Sequence, residues 1–294
     1  MPWLVVVPVV ILAVAALALA VRAVCNALLD DAALQVTELD VPIDDLPAEF
    51  EGYTIAVLSD LHQLPLRALD RMLRRACKVV DAVRPDLIAL LGDYGASFRH
   101  SRRLSATLYR GAHGVAGPHL RQLRAPDGTV AVLGNHDYYA GADSTMRWLR
   151  SVGATVLVDE TLTICRDHAT IEVLGIDDVI EGSPARPSSG SRTPRIVLSH
   201  VPDGVRQLGA GTRADLVLSG HTHGGQIVLP WYGAPVRLSR VCTRRSASGW
   251  IANDRAPLYV TRGVGAQIPL RLRCPPEVVV VRLRRGPSSV QQPA

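Results

Sequence analysis

The stretch that decides the fold is Thr54-Ile-Ala-Val-Leu-Ser-Asp60-Leu-His62, an apolar, β-branched run that stops at an acidic residue and a histidine. Four later stretches repeat this pattern: Leu87-Ile-Ala-Leu-Leu-Gly-Asp93, Val130-Ala-Val-Leu-Gly-Asn135-His136-Asp137, Ile196-Val-Leu-Ser-His200 and Leu216-Val-Leu-Ser-Gly-His221-Thr-His223. Continuous apolar runs of this length are typical of strands that are buried on both faces. Because polar residues appear only at the carboxyl end of each run, we expect them to meet in one crevice above a sheet edge, where open α/β sheets bind ligands.

The residues that end these runs are of the types that bind divalent metal ions. Asp60 and His62 are two positions apart at one strand end, so both side chains can point to the same side and bind one cation. The carboxylate of Asp93 has two oxygens and can bridge two cations. The full set of predicted ligands combines carboxylate, amide and imidazole groups: Asp60, His62, Asp93, Asn135, His200, His221 and His223. Mixed oxygen and nitrogen ligation favours Mn, Fe or Zn over Ca or a thiolate-bound zinc, so the sequence predicts two divalent ions as cofactors.

Two such cations suit the hydrolysis of a phosphate ester. Placed roughly 3.5–4 Å apart, they clamp an in-line displacement at phosphorus and lower the pKa of a shared water. His136, next to the predicted ligand Asn135, is placed to donate a proton to the leaving oxygen. Asp137 is predicted to orient the imidazole of His136 and to keep it protonated. We therefore predict His136 and Asp137 as catalytic residues.

Composition sets wide limits on the class of protein. The chain has 294 residues, and 32 Lys+Arg against 27 Asp+Glu give a net charge of +5. A charge this modest does not require a nucleic-acid partner, and none is predicted. The five cysteines are scattered, with no pair close enough for a zinc knuckle or a redox motif. This favours a reducing compartment over a disulfide framework.

The amino terminus carries an apolar segment long enough to cross a bilayer as a helix. It runs without charge from Trp3 to Val21, and we predict a retained single-pass anchor in the cell membrane over residues 3–24. A signal peptide cleaved near Ala18-Leu-Ala20 is the alternative, which is disfavoured because no Lys or Arg precedes the segment. The single flanking Arg22 and the unpaired cysteines favour a cytoplasmic catalytic domain.

The rest of the chain divides into three predicted parts. Residues 25–50 form a tether and an edge segment, residues 51–285 form the phosphoesterase domain, and residues 286–294 form a disordered tail. Within the domain, apolar spacing from Ala68 to Val83 predicts a crossover helix between the first two strands. The stretch Gly95–Asp127 is predicted to be a long functional loop with a short helix near Ser105–Arg110.

Shorter elements are predicted from local signals along the second half of the chain. Residues from Asp143 to Arg150 are expected to form a helix, and the Ser, Pro and Gly content of residues 182–194 predicts a mobile surface excursion. Further strands are expected at Gln226–Leu229, Pro257–Thr261 and Val278–Leu283.

The ordered motifs resemble the signature of the calcineurin-like metallophosphoesterases. They occur in the family's order over residues from about 53 to 283 and read Asp60-x-His62, Gly92-Asp93, Gly134-Asn135-His136-Asp137, His200 and Gly220-His221-x-His223. Finer features are similar to the membrane-associated bacterial branch of the YkuE/YaeI type: Leu198-Ser-His200-Val-Pro202-Asp203, Gly220-His-Thr-His-Gly-Gly-Gln226-Ile227 and Tyr259-Val-Thr-Arg262-Gly263-Val-Gly265. That branch includes phosphodiesterases and a UDP-2,3-diacylglucosamine hydrolase.

The resemblance implies a four-layer α/β/β/α sandwich, preceded here by the predicted transmembrane helix. It implies a first metal held by Asp60, His62, Asp93 and His223. A second metal would be held by Asp93, Asn135, His200 and His221, with His136 as a catalytic residue. One departure is Gln63-Leu-Pro65, where many relatives carry a glycine; it puts the shape of that loop in question and not its ligands.

These observations together predict a membrane-tethered dinuclear-metal phosphoesterase. We expect a metal-bridging hydroxide to attack a phosphodiester or pyrophosphate, and an amphiphilic, lipid-linked nucleotide resembling UDP-2,3-diacylglucosamine would explain an anchor beside a basic, partly apolar loop. Because the metal core is common to many reactions, phosphomonoester, phosphoprotein and cyclic-nucleotide hydrolysis stay open. A non-catalytic metal-binding scaffold is the alternative from another class, but such a protein is expected to show degraded ligand positions and this chain shows none.

Overall fold

A computed structural model of the chain describes residues 33–64, 66–267 and 270–287, together with Val7, Val14 and Leu17. Within these residues the strands form two six-stranded sheets. The first sheet has the order β1 (Gln35–Ile43), β12 (Glu277–Arg285), β2 (Thr54–Leu58), β3 (Leu87–Leu90), β4 (Thr129–Ala131) and β5 (Ala154–Val156). The second has the order β10 (Gly249–Ile251), β11 (Leu258–Val260), β9 (Leu216–Ser219), β8 (Arg195–Ser199), β7 (Ala169–Ile176) and β6 (Glu160–Arg166).

Parallel pairing dominates the centre of both sheets. In the first sheet β2, β3, β4 and β5 run parallel, and β12 pairs antiparallel with β2. In the second sheet β7, β8, β9 and β11 run parallel, with β6 and β10 antiparallel at the two edges. Parallel neighbours end on the same side, so the polar residues that follow β2, β3 and β4, and those that follow β8 and β9, collect at one end of each sheet.

The main core lies between the two sheets, and alternate residues of a central strand serve different layers. In β2, Ile55 and Val57 belong to the core between the sheets, whereas Ala56 and Leu58 pack toward the helices. All four side chains are buried. This explains why the run is apolar at every position and does not alternate with polar residues.

Four α-helices are present among the described residues: α1 (Arg67–Val83), α2 (Arg102–Leu120), α3 (Asn135–Ala140) and α4 (Ala142–Ser151). Met72 and Leu73 of α1, Leu120 of α2 and Leu149 of α4 pack against the outer face of the first sheet. The helix α1 joins the parallel strands β2 and β3, and both α1 and α4 lie where the sequence predicted helices.

The outer face of the second sheet has a different cover. Its apolar residues pack against Val205 and Leu208, in and after a 3₁₀ helix (Pro202–Gln207), and against Cys242 in the irregular segment 226–248. The predicted α/β/β/α order is therefore met in its first three layers. In the fourth layer a 3₁₀ helix and irregular chain stand where an α-helix was expected.

Two local predictions are wrong. Most of the predicted loop Gly95–Asp127 is the 19-residue helix α2, which includes the short helix predicted near Ser105–Arg110 and contains Pro118 and three glycines. Buried Tyr109, Ala112 and Ala116 give it a packed face, so tertiary contacts outweigh the low helix propensity of its glycines. The expected strand Gln226–Leu229 makes only isolated bridges, one of them between Ile227 and Leu272.

The ends of the chain are described only in part. No helix among the described residues is long and apolar enough to cross a membrane. The predicted anchor over residues 3–24 lies outside the described residues apart from Val7, Val14 and Leu17, and the predicted tail is described only as far as residue 287. The segment expected at an edge forms β1, which is the edge strand of the first sheet. The domain boundaries stay predictions.

Candidate metal centre

The predicted ligands follow the carboxyl ends of the central strands. Asp60 and His62 come after β2, Asp93 after β3, and Asn135 opens α3 just beyond β4. His200 follows β8, and His221 and His223 follow β9. We call these seven residues the inner rim. Six of them, all but Asn135, fall into groups whose possible ligand atoms lie within 4.8 Å of one another. Asn135 lines a cavity together with Asp93, His221 and His223.

The backbone of the inner rim is held in an unusual conformation. Five of its seven residues have positive φ: Asp60 (53°), His62 (39°), Asp93 (57°), His221 (68°) and His223 (52°). The left-handed region costs a non-glycine residue on the order of 1–3 kcal/mol where neighbouring structure enforces it, and such residues cluster at functional sites. The amides of Asp60 and His62 donate 3.0 Å hydrogen bonds to the carbonyls of Gly92 and Asp93, so the loops after β2 and β3 fix each other.

The first group of possible ligands brings together the loops after β2, β3 and β9. His62 Nε2 is 3.0 Å from His223 Nε2 and 3.5 Å from Asp93 Oδ2. His223 Nε2 is 3.4 Å from Asp60 Oδ1. All four side chains are buried. Two imidazole nitrogens and two carboxylate oxygens therefore converge on one small volume.

The second group shares Asp93 with the first. His200 Nε2 lies 3.2 Å from Asp93 Oδ2, and His221 completes the group. His200 Nδ1 donates to the carbonyl of Leu91 at 2.7 Å, which directs Nε2 toward the site. Asn135 Oδ1 is buried without a hydrogen-bond partner, an expensive arrangement unless a ligand satisfies it. This orphaned acceptor, with the neighbouring carboxylates and imidazoles, fits a pair of divalent cations.

The pKa shifts of the buried acids and histidines also indicate a metal site. Burial raises the pKa of Asp60 to about 6 and lowers the pKa of His62 to about 3. Burial alone would raise the pKa of Asp93 too, but the charges of His200 and His136 hold it well below its usual range. The pKa of His200 shifts upward. Burial alone would lower this pKa, but the carboxylate of Asp93 outweighs burial and raises it to about 10. A site that needs positive charge beside Asp93 and leaves other imidazoles neutral is suited to metal ions.

Glycines let these loops come close together. A Cβ at Gly134 would overlap Asp93 Oδ1 and lie 2.8 Å from the ring of His200. A Cβ at Gly220 would overlap the side chains of Ser59 and Asp60. The glycines that precede Asn135 and His221 are therefore steric requirements of the inner rim.

His136 faces the cavity, but its partner is not the one predicted. Its Nδ1 lies 3.0 Å from both the hydroxyl and the carbonyl oxygen of Ser97, and its Nε2 lies 3.1 Å from Gln267 Nε2. The prediction that Asp137 orients this imidazole is wrong. Ser97 performs that task, and no signal in the sequence singled out Ser97 or Gln267.

Asp137 instead ties the loops behind the site together. Its Oδ2 accepts hydrogen bonds from the backbone amides of Asp93 (2.9 Å) and Gly134 (2.7 Å). Its Oδ1 accepts from the amide of Tyr94 (3.2 Å) and from the hydroxyl of Tyr109. Asp137 is thus a positioning residue for the backbone that carries Asp93 and His136.

Above the inner rim lies an open cavity of about 470 Å³. Its mouth is lined by residues that we call the outer rim: Phe98, Arg99, Ile180, Arg237 and Leu238. Ile180, Arg237 and Leu238 also line a neighbouring cavity of about 420 Å³, together with Val201, Arg206 and Arg240. The two cavities are therefore neighbours, and their walls combine apolar side chains with arginines.

Comparison with known proteins agrees with this geometry. The chain matches the calcineurin-like phosphoesterase family model over residues 53–225. It is 34% identical over 235 residues to the phosphodiesterase YaeI of Escherichia coli, covering 79% of this chain and 82% of that protein. It is 30% identical over 264 residues to the uncharacterized metallophosphoesterase YkuE of Bacillus subtilis, covering 85% and 86%. It is 26% identical over 309 residues to the UDP-2,3-diacylglucosamine pyrophosphatase LpxG of Chlamydia muridarum, covering 85% and 89%.

These matches confirm the predicted YkuE/YaeI-type resemblance. With the clustered Asp and His side chains, they also confirm the prediction of a metal-dependent phosphoester hydrolase that uses two divalent ions. The chain belongs to the calcineurin-like phosphoesterase family.

Proposed function

We propose that this chain hydrolyses a phosphodiester or pyrophosphate bond in an amphiphilic substrate while residues 3–24 tether it to the cell membrane. The observation that carries the hydrolytic part is the position of Asp93. Its carboxylate belongs to a group with His62 and His136 and to a group with His200 and His221. One side chain shared by two ligand groups is what a dinuclear site requires.

The contacts within the inner rim support two ligand sets, and Asn135 is assigned to the second because it lines the same cavity as Asp93 and His221. Asp60, His62 and His223 would hold one cation and Asn135, His200 and His221 the other, with Asp93 between them. When bound, two ions of Mn, Fe or Zn would activate water and offset charge on the phosphoryl oxygens. The chain's own contribution is to hold seven ligands on buried, hydrogen-bonded loops, so that little reorganisation accompanies the reaction.

His136 is proposed to protonate the leaving oxygen. The carbonyl of Ser97 can only accept, so the Nδ1 that faces it carries a proton. Nε2 is then the atom that gains and gives a proton in the cavity, beside Gln267. His136 also lies within reach of His62 and Asp93 as a possible third ligand, and an experiment must separate these two roles.

The substrate class is supported by the outer rim. Phe98, Ile180 and Leu238 are each exposed by more than two fifths, beside the guanidinium groups of Arg99 and Arg237. Exposed apolar groups next to arginines suit a molecule with phosphate at one end and hydrocarbon at the other. The relative LpxG, named as a pyrophosphatase of UDP-2,3-diacylglucosamine, acts on a substrate of this kind.

The test is a substrate panel on the full chain in detergent, with metal content measured in the same samples. It should include a small chromogenic phosphodiester, the matching monoester and a lipid-linked nucleotide pyrophosphate, each with Mn²⁺, Fe²⁺ or Zn²⁺. We expect the wild type to hold two metal equivalents and to prefer the diester or pyrophosphate. Asp93→Ala should lose both turnover and metal.

The variant His136→Ala distinguishes a role of His136 as proton donor from a role as metal ligand. As a donor, its loss should reduce kcat by about 10²–10⁴-fold with two metals retained; loss of a metal equivalent would make it a ligand. His119→Ala is the matched control, since His119 pairs with Asp70 at 2.8 Å and does not line the cavity. If the wild type bound well under two metal equivalents and showed no turnover with any ion, the protein would instead be a non-catalytic scaffold.

A further inference from the structure

The segment 226–248, which we call the tip loop, presents an unusual exposed surface. Trp231 at its tip is 92% exposed, and Val236 is 61% exposed. Leu229, Tyr232 and Leu238 are exposed by two fifths or more. Scattered apolar residues are normal on a protein surface, but a nearly fully exposed tryptophan within a group of this size marks an interaction site.

Charge around the tip loop is strongly one-sided. Within residues 226–248 the chain has four arginines and no acidic residue, a formal charge of +4 against +5 for the whole protein. The four arginines are Arg237, Arg240, Arg244 and Arg245. All four are exposed.

The tip of the loop is held in place by specific contacts. Leu229 and Gly233 exchange two 3.0 Å backbone hydrogen bonds, which close a narrow turn around Trp231. Trp231 has a φ of 60°, a costly conformation for a bulky residue. Arg245 Nη2 donates to the carbonyl of Trp231 at 3.0 Å, and the guanidinium of Arg244 lies 4.8 Å from the centre of the Tyr232 ring. These contacts hold the indole outward.

We infer that the tip loop docks on the surface of an anionic lipid bilayer. Tryptophan and tyrosine concentrate at the interface between membrane and water, where an apolar ring with a polar edge is suited to both media. Arginines around them are attracted to anionic headgroups. The absence of acidic residues from the tip loop favours this partner over a protein surface of mixed charge.

Docking would bring the catalytic cavity to the membrane. Arg237 and Leu238 of the tip loop line the cavity mouth. The base of the loop packs on the segment that carries His221 and His223: Thr222 Oγ1 donates to the carbonyl of Ala247 at 2.6 Å, and Ala234 lies directly against Gly225. A bilayer touching Trp231 would therefore lie beside the outer rim. This inference is independent of the substrate and of the anchor proposed above.

The experiment measures quenching of tryptophan fluorescence by brominated acyl chains. The full chain is reconstituted in vesicles of brominated phosphatidylcholine, with or without phosphatidylglycerol. Because Trp3 lies in the apolar amino-terminal segment, the signal of Trp231 is taken as the difference between the wild type and Trp231→Ala. Trp148→Phe is the matched control, since Trp148 stacks on His113 at 4.1 Å and is partly buried against the core beneath the helices.

We expect the emission due to Trp231 to be mostly lost in vesicles that contain phosphatidylglycerol and largely retained in phosphatidylcholine alone. Arg240→Gln combined with Arg244→Gln should restore it. If Trp231 stays unquenched by anionic vesicles, because water or another protein molecule covers it, the inference is overturned. Turnover of a soluble diester by Trp231→Ala, measured in parallel, should match the wild type, so failure of docking and failure of the proposed reaction are seen separately.

Discussion

The inner and outer rims of the cavity are built on different principles. Inner-rim residues such as Asp60 and His200 are fully buried, follow central strands directly and are held by the backbone of neighbouring loops. Outer-rim residues such as Phe98 and Leu238, 54% and 42% exposed, come from chain that lies outside regular helices and strands.

The difference implies a division of labour. Metal ligands fail when displaced by about 1 Å, which favours buried positions on rigid strand ends. Residues that select a substrate vary with the loops that carry them. Changes to the inner rim should therefore abolish hydrolysis of every substrate, whereas changes to the outer rim should affect only substrates large enough to reach it.

The largest expected effect comes from a change that touches no ligand chemically. Gly134→Ala places a methyl group against Asp93 Oδ1 and the His200 ring, so the loops after β3, β4 and β8 must separate. We expect turnover of a small diester to fall by about 100-fold or more, since displacements of about 1 Å cost that much. Metal content should fall in parallel, measured by mass spectrometry of the purified protein.

A second glycine provides the control for Gly134. A Cβ at Gly114, on the exposed side of α2, meets no atom within 4 Å. Gly114→Ala should retain full activity and raise the free energy of unfolding by roughly 0.5–1 kcal/mol, because alanine loses less backbone entropy in a helix. If Gly134→Ala kept two metals and wild-type turnover, the close packing of the inner rim would not matter for function.

An intermediate effect is expected at Ser97, which lies between the two rims. Ser97→Ala removes the hydroxyl that contacts His136 Nδ1 at 3.0 Å but leaves the carbonyl contact in place. Loss of such an orienting partner typically costs about 10–100-fold in activity. We expect kcat to fall within that range while KM and metal content stay near wild type. Ser144→Ala, on the exposed surface of α4, is the control, and loss of metal from Ser97→Ala would contradict a role limited to His136.

The strands of the inner rim and the clustering of its polar residues were predictable because their signal is local. An apolar run such as Thr54–Leu58 indicates a doubly buried strand, and the polar residue after it indicates the end that faces the site. The partner of His136 was not predictable from its neighbour. Consecutive residues on a helix do not face each other, so in the first turn of α3 Asp137 points back to the amides of Asp93 and Gly134 while His136 faces the cavity.

Features that rest on distant contacts were beyond sequence reasoning. Ser97 meets His136 across 39 positions of the chain, in a segment without any periodic pattern. Only the part of helix α2 near Ser105–Arg110 was predicted, because its glycines and Pro118 are typical of loops, whereas the packing of Tyr109 and Ala116 stabilises the whole helix. The segment that covers the outer face of the second sheet was not predicted either. It is irregular around the buried Cys242 and carries no helical or strand periodicity.

The smallest effect on the reaction itself is expected at the outer rim, where Phe98 offers the sharpest test. Deleting the whole stretch from Phe98 to Arg110 would remove Tyr109, whose hydroxyl bonds Asp137, and would damage both rims at once. Phe98→Ala removes only an exposed ring. With a small chromogenic diester we expect kcat and KM to change by less than about twofold, because surface changes away from the reacting groups are usually near neutral.

With a lipid-linked pyrophosphate the same variant should behave differently. If the acyl portion covers the Phe98 ring, losing part of the 1.5–3 kcal/mol that burial of a phenylalanine contributes should raise KM by about tenfold. Leu104→Ala is the matched control, since Leu104 is similarly exposed on α2 but does not line the cavity. Equal losses on the small and the lipid-linked substrate would mean that Phe98 acts through the inner rim, and the separation between selecting a substrate and hydrolysing it would not hold.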